Sequence, residues 1–142
     1  MNGSDPELQK DMAKYSGKPM WKGGYRDYGT LRFSLRSIEK FAPWVRMIHI
    51  VTNGQVPSWF VKENGGKAVI VTHRQIFENV SDLPTFNSNS IEVNLRNIPG
   101  LADCFIYLND DFFLGRETPK DHFADPTNGK LKLCEKTSSH DF

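Results

Sequence analysis

Three short apolar runs constrain what this chain can fold into. They read "VRMIHIVTNG", "GGKAVIVTH" and "CFIYL", and each stops at polar residues: Thr52 and Asn53, Thr72 and His73, and the triplet Asn109, Asp110 and Asp111. Runs of this length, rich in β-branched and aromatic side chains and closed by turn formers, read as short buried strands. Before and between them lie stretches with helical spacing. Residues 27–41, "DYGTLRFSLRSIEKF", place Leu31, Leu35 and Ile38 on one face, with Asp27 or Thr30 to cap the start and Pro43 to help end it. "QVPSWF" reads as a loop or one helical turn, and "HRQIFENVSDLPTF" as a short helix followed by a proline-marked turn. "NSNSIEVNLRNIPG" puts Ile91, Leu95 and Ile98 at helical spacing, with Asn89 and Glu92 placed as a capping box and Pro99-Gly100 as the stop. Strand and helix alternating in this way predict an α/β domain with a largely parallel sheet.

Bulk composition narrows the function classes. At 142 residues the chain has room for one domain with a core. Eighteen Lys and Arg against seventeen Asp and Glu leave a formal charge of +1, so no overall field draws the chain to nucleic acid or an anionic membrane. An anionic ligand must then be held by local geometry. Cys104 and Cys134 form no C-x-x-C pair, against a zinc ribbon or a thioredoxin-like centre, and the spacing leaves open whether they pair. No apolar run approaches the ~20 residues of a membrane span, and the start, "MNGSDPELQKDMAKYSGK", lacks a signal-peptide core. The expectation is a soluble chain or the soluble piece of a longer one. Residues 1–24 read as a polar segment, mostly loop with one short helix.

Parallel strands bring their carboxyl ends to one rim, where ligands of open α/β sheets collect. Asn53, His73 and the Asn109–Asp111 triplet are therefore expected together. Two adjacent carboxylates repel unless a cation offsets them, and hard oxygen ligands suit Mg²⁺ or Mn²⁺. The same string, "FIYLNDDFFLG", also reads as a hairpin turn in which Asn and Asp are favoured, and the two readings are compatible. Glu92 is open to two readings: helix capping with a surface ion pair to Arg96, or a general base or second metal ligand. Arg26, Arg32 and Arg36 either clamp phosphate oxygens or cover a solvated helix face. His49 lies within a strand and reads as structural.

Taken together, "LRFSLRSIEKFAPWVRMIHIVTNGQVPSWF", "VTHRQIFENVSDLPTFNSNSIEVNLRNIPGL" and "FIYLNDDFFLG" resemble the second conserved region of the Stealth family of sugar-1-phosphate transferases. The resemblance covers roughly residues 25–133, leaving 134–142 as a tail. It implies a Rossmann-like, GT-A-like three-layer sandwich with a largely parallel or mixed sheet. It also implies an incomplete fragment, partnered by the remaining Stealth regions of a longer chain. By the same resemblance the donor is a UDP-sugar, the acceptor a glycan hydroxyl, the cofactor a divalent cation and the leaving group UMP. Carried over residue by residue, Asp110 and Asp111 hold the metal and diphosphate, and Glu92 serves the acceptor hydroxyl. Asp27, Arg32, Arg36, Asn53, Asn94 and Asn109 contact substrate, and Ser34 also matches the family pattern. The chain departs from that pattern at Gly24, Tyr28 and Thr30, where the family usually shows Arg, Asn and Glu. A non-catalytic sugar- or protein-binding relative, or a GT-A glycosyltransferase that releases UDP, would be the alternatives.

Overall fold

The computed structural model describes residues 6–16, 28–60 and 66–132. Within them the order is α1 (Pro6–Ser16), α2 (Thr30–Phe41), β1 (Ile48–Thr52), β2 (Ala68–Thr72), α3 (His73–Ile76) and α4 (Ser88–Asn94). Asp27, proposed as a cap and as a substrate contact, and Cys134 lie outside the described residues, as does the rest of the tail. Cys104 is exposed. No helix among the described residues is long and apolar enough to cross a membrane.

β1 and β2 pair in parallel, Ile48 opposite Ala68 through Thr52 opposite Thr72. The expected parallel sheet is therefore present as two strands, in a mixed α/β arrangement. A three-layer sandwich is not formed among the described residues. "CFIYL" is a correction: residues 104–108 belong to no strand. Apolar content alone does not make a strand, because the ladder bonds come from a neighbour that the local string does not encode. Phe105, Ile106 and Tyr107 stay 48%, 42% and 45% exposed.

The core gathers behind β2. Val71, Ile76, Phe77, Leu95 and Ile98 are buried together, with Val51, Val69, Leu83, Ile91 and Leu101 packed against them. Two helical segments close over the sheet: Ile76 at the end of α3 with Phe77 just after it, then Ile91, Leu95 and Ile98, which recur every three or four positions along α4 and the tight turn that continues it. α3 starts at once after β2. The Gln75 side chain accepts from the Thr72 backbone N–H at 2.8 Å, tying strand end to helix start. Asn97 donates to the carbonyl of Ile76 at 2.8 Å, stitching the end of α4 to the end of α3.

α2 follows the predicted pattern, with Leu31, Leu35 and Ile38 half-buried and Arg32, Arg36, Glu39 and Lys40 exposed. Its cap is neither predicted residue. Gly29 precedes it at φ 72°, a left-handed conformation that glycine takes without a Cβ penalty. At α4 the cap is Asn87 rather than Asn89: its side chain accepts from the backbone N–H groups of Asn89 and Ser90 at 3.0 and 3.4 Å. "NSNS" offers several residues able to cap, and the capping-box spacing to Glu92 singled out the wrong asparagine. That frees Glu92 from a capping role. Pro99-Gly100 does end the segment, with Gly100 at φ 75°.

Candidate functional site

The acidic triplet is a turn. The Phe112 N–H donates to the carbonyl of Asn109 at 3.1 Å, so Asp110 and Asp111 occupy the two central positions. Both carboxylates are exposed. The turn is anchored on its two sides by different helices. On one side the Tyr107 phenol lies 3.1 Å from Glu92 Oε1 and 2.6 Å from Asn109 Oδ1. On the other, Leu114 N–H donates to Ser37 Oγ at 3.0 Å and Thr118 N–H to the Phe41 carbonyl at 2.8 Å, both on α2. Trp44 Nε1 closes the tether by donating to the Thr118 carbonyl at 2.7 Å.

Tyr107 was not singled out from the sequence, yet it joins two predicted site residues. Tyr107 and Asn109 lie two positions apart in extended chain, so their side chains share a side. That period-two spacing was the available signal. With one hydrogen to give, the phenol donates to one of its two oxygen partners at a time. Partial burial, then the hydrogen bond to Glu92 and the negative charges of Glu92 and Asp110, push the phenol above its usual pKa. The cluster is thus electronegative, and it presents only hard oxygen donors.

No three His, Cys, Asp or Glu side chains come together as a metal cage among the described residues. Asp110 and Asp111 are oxygen ligands of the kind that suits Mg²⁺, a cation that commonly takes one or two protein carboxylates and completes its shell with water and substrate phosphates.

A second polar group forms at the carboxyl ends of the paired strands. Because Thr52 sits opposite Thr72, the residues that follow, Asn53 and His73, meet at one rim. They line a cavity of about 140 Å³ with Arg74, Leu83, Pro84 and Asp11. Asn53 Oδ1 is buried without a hydrogen-bond partner. His73 is 8% exposed, and burial lowers its pKa, so the imidazole stays neutral to lower pH than usual. The expected meeting of strand ends thus holds for Asn53 and His73. Among the described residues, no hydrogen bond joins this pair to the acidic turn.

The remaining predicted residues fall elsewhere. Arg32 and Arg36 line a cavity of about 330 Å³ with Trp59, Phe60, Ile48 and Ala68. Ile48 and Ala68 begin β1 and β2, so this cavity lies at the opposite end of the strands from Asn53. Asn94 is occupied internally, donating to the Ser90 carbonyl at 2.9 Å and accepting from Asn97 at 3.3 Å. Ser34 is buried in α2, and its carbonyl accepts from Ser37 Oγ at 2.7 Å. His49 lies within β1, its Nδ1 buried and unpaired.

A parallel α/β unit that brings a helical glutamate to the root of an acidic turn defines the general class. The chain belongs to the Stealth family, its residues 24–132 matching the model for Stealth protein CR2, conserved region 2. It is 51% identical over 106 residues to the mouse (Mus musculus) N-acetylglucosamine-1-phosphotransferase subunits alpha/beta, a match covering 75% of this chain and 8% of that protein. To an exopolysaccharide phosphotransferase of Streptomyces coelicolor it is 44% identical over 137 residues, 93% of this chain and 25% of the relative. To the receptor polysaccharide phosphotransferase WefC of Streptococcus oralis it is 41% identical over 133 residues, 88% of this chain and 40% of the relative. The chain therefore spans well under half the length of these curated relatives.

Proposed function

We propose that this chain is the core segment of a sugar-1-phosphate transferase, acting within a longer protein on a UDP-sugar and a glycan hydroxyl. The observation that carries the reading is the Tyr107 bridge, which holds Glu92 of α4 beside Asn109 at the root of the Asp110–Asp111 turn. Membership of the Stealth family, with relatives named as phosphotransferases, supports it.

In this reading Glu92 takes the proton of the acceptor hydroxyl. The hydroxyl oxygen bonds to the phosphorus that bears the sugar, and the bond from that phosphorus to the bridging oxygen breaks. UMP leaves with that oxygen and its electron pair, and the sugar remains joined to the acceptor through a phosphodiester. Asp110 and Asp111 would hold Mg²⁺ or Mn²⁺, which when bound neutralises charge on the diphosphate. Tyr107 and Asn109 orient Glu92 toward that turn. Arg32 and Arg36 line the cavity at the amino ends of the two strands.

The test uses the longer protein that contains this segment, with UDP-N-acetylglucosamine and a glycan acceptor. Release of UMP is expected, and Asp111→Asn should slow it by about 100-fold or more, the scale of losing several kcal/mol of charge stabilisation. The variant's thermal midpoint should not move, because Asp111 is exposed. Unchanged metal-dependent turnover by Asp111→Asn would overturn the assignment. UDP as the product would make the enzyme a glycosyltransferase instead.

A further inference from the structure

We propose that Ser37 is a positioning residue for the acidic turn: its hydroxyl fixes where Asp110 and Asp111 stand, and so how tightly they take a divalent cation. This rests on the metal assignment above and adds to it the group that holds the carboxylates in place. Ser37 Oγ accepts from the Leu114 N–H at 3.0 Å, across 77 residues of sequence, and donates its own hydrogen to the Ser34 carbonyl at 2.7 Å. A hydroxyl has one hydrogen to give, so the bond to Ser34 commits it and leaves a lone pair for Leu114. Polarised in this way, the oxygen is a better acceptor than a free hydroxyl. Serine inside a helix is otherwise a mildly unfavourable choice, because it competes for backbone hydrogen bonds.

What this bond controls follows from where the chain is held. On the amino side of the turn, the Tyr107 phenol reaches Asn109 and Glu92. On the carboxyl side, the first hold after the turn's own Asn109–Phe112 bond is Leu114 on Ser37. The next is Thr118, whose N–H donates to the Phe41 carbonyl through main-chain atoms alone. Leu114 lies three residues beyond Asp111, within about 10 Å of chain, whereas Thr118 lies seven beyond, at up to about 25 Å. Both carboxylates are exposed, so the two stems rather than burial set their position. Without the Ser37 bond the free stretch grows from Asn109–Leu114 to Asn109–Thr118, and a longer stretch samples more arrangements. Only molecules that present both carboxylates together are competent to bind the ion, so the apparent affinity falls with their fraction.

The experiment measures Mn²⁺ binding directly, by the electron paramagnetic resonance of the free ion, in the longer protein that contains this segment. Wild type, Ser37→Ala, Ser37→Thr and Asp111→Asn are compared. Ser37→Ala is expected to raise the Mn²⁺ Kd about fivefold, the equivalent of one ordinary hydrogen bond. Ser37→Thr keeps a hydroxyl able to bond back to the preceding turn, and should bind within about twofold of wild type. A role in stability alone would lower the thermal midpoint of metal-free Ser37→Ala and leave the Kd of the folded protein where it was. Should Ser37→Ala fail to fold, Ser37→Cys takes its place, since a thiol is similar in size and only a weak acceptor. Wild-type Mn²⁺ affinity in the folded variant, or no rescue by Ser37→Thr, overturns the positioning role. Asp111→Asn separates this inference from the reading beneath it. If it loses the ion while Ser37→Ala keeps it, only the role of Ser37 falls. If it binds Mn²⁺ as the wild type does, the metal assignment falls and this inference with it.

Discussion

Two stretches of similar apolar content meet opposite fates in this molecule. From Ile48 to Leu101, aliphatic and aromatic side chains close on one another: Ile50, Val71, Ile76, Phe77, Leu95 and Ile98 are all at most 7% exposed. From Phe105 to Phe113 the chain is as rich in Phe, Ile and Tyr, yet Phe112 and Phe113 are 56% and 51% exposed. The first stretch has β1 and β2 to supply each other's backbone partners and two helical segments to cover one face. The second is held by side-chain and loop hydrogen bonds at Tyr107, Leu114 and Thr118. Burial is a property of the partner as much as of the string. The consequence for the site is a division of labour: the packed stretch fixes α4 and Glu92, and the stretch from Phe105 to Phe113 brings Tyr107 and Asn109 to it.

The division is broken most directly by truncating one residue on each side. Ile76, 1% exposed, should cost about 2–5 kcal/mol as Ile76→Ala, the range for deleting a buried aliphatic side chain. Phe113→Ala should stay within about 0.5 kcal/mol, as exposed substitutions usually do. Urea unfolding of the two variants measures both, and equal losses would mean that the second stretch is packed after all.

A smaller effect is expected at the start of α4, where the packed stretch presents Glu92. Asn87→Ala removes the acceptor for two backbone N–H groups and should cost about 1 kcal/mol. Asn89→Ala, inside the helix, should cost less than half of that. Reversal of this order would return the cap to the residue that spacing alone favours. At Tyr107 the expected stability change is smaller still. Tyr107→Phe deletes a half-exposed hydrogen bond and should shift stability by no more than about 0.5 kcal/mol. Its mark should fall instead on turnover in the longer protein, through a lower kcat with KM little changed. A KM effect without a kcat effect would sever Tyr107 from the orientation of Glu92.

What was legible in the sequence follows the same boundary. α2, β1, β2 and the α3 and α4 segments could be read because their signals are local: apolar spacing of two or three to four, and Asn-Gly or Pro-Gly stops. The junction of Asn53 with His73 was also readable, since parallel strands of equal length must align their ends. A strand at residues 104–108 was not, because pairing depends on a distant segment. Glu92's escape from capping duty and Asn94's internal hydrogen bonds depend on which of several neighbouring Asn residues caps α4. The separation of Arg32 and Arg36 from Asn53 depends on which end of the sheet α2 meets, and helical periodicity says nothing about that. Tyr107 was hidden by its neighbours, since among Phe, Ile and Leu a tyrosine reads as one more apolar residue.

The smallest effect concerns His73, which belongs to the packed stretch and lines the cavity beside Asn53. Burial lowers its pKa in the folded state below the ordinary imidazole value of 6.5. The unfolded chain therefore binds this proton more readily than the folded one, and stability rises with pH across the interval between the two pKa values. The contribution is fully present above about pH 6.5 and is lost as pH falls toward and through the lowered folded value. His73→Gln should flatten that part of the stability curve, leaving the acid sensitivity of the carboxylates as it was. The measurement is the urea midpoint of wild type and variant at closely spaced pH values from 7.5 down to about 5. If the two curves run parallel, His73 is open enough to take its proton in the folded state. The cavity beside Asn53 would then tolerate a cation.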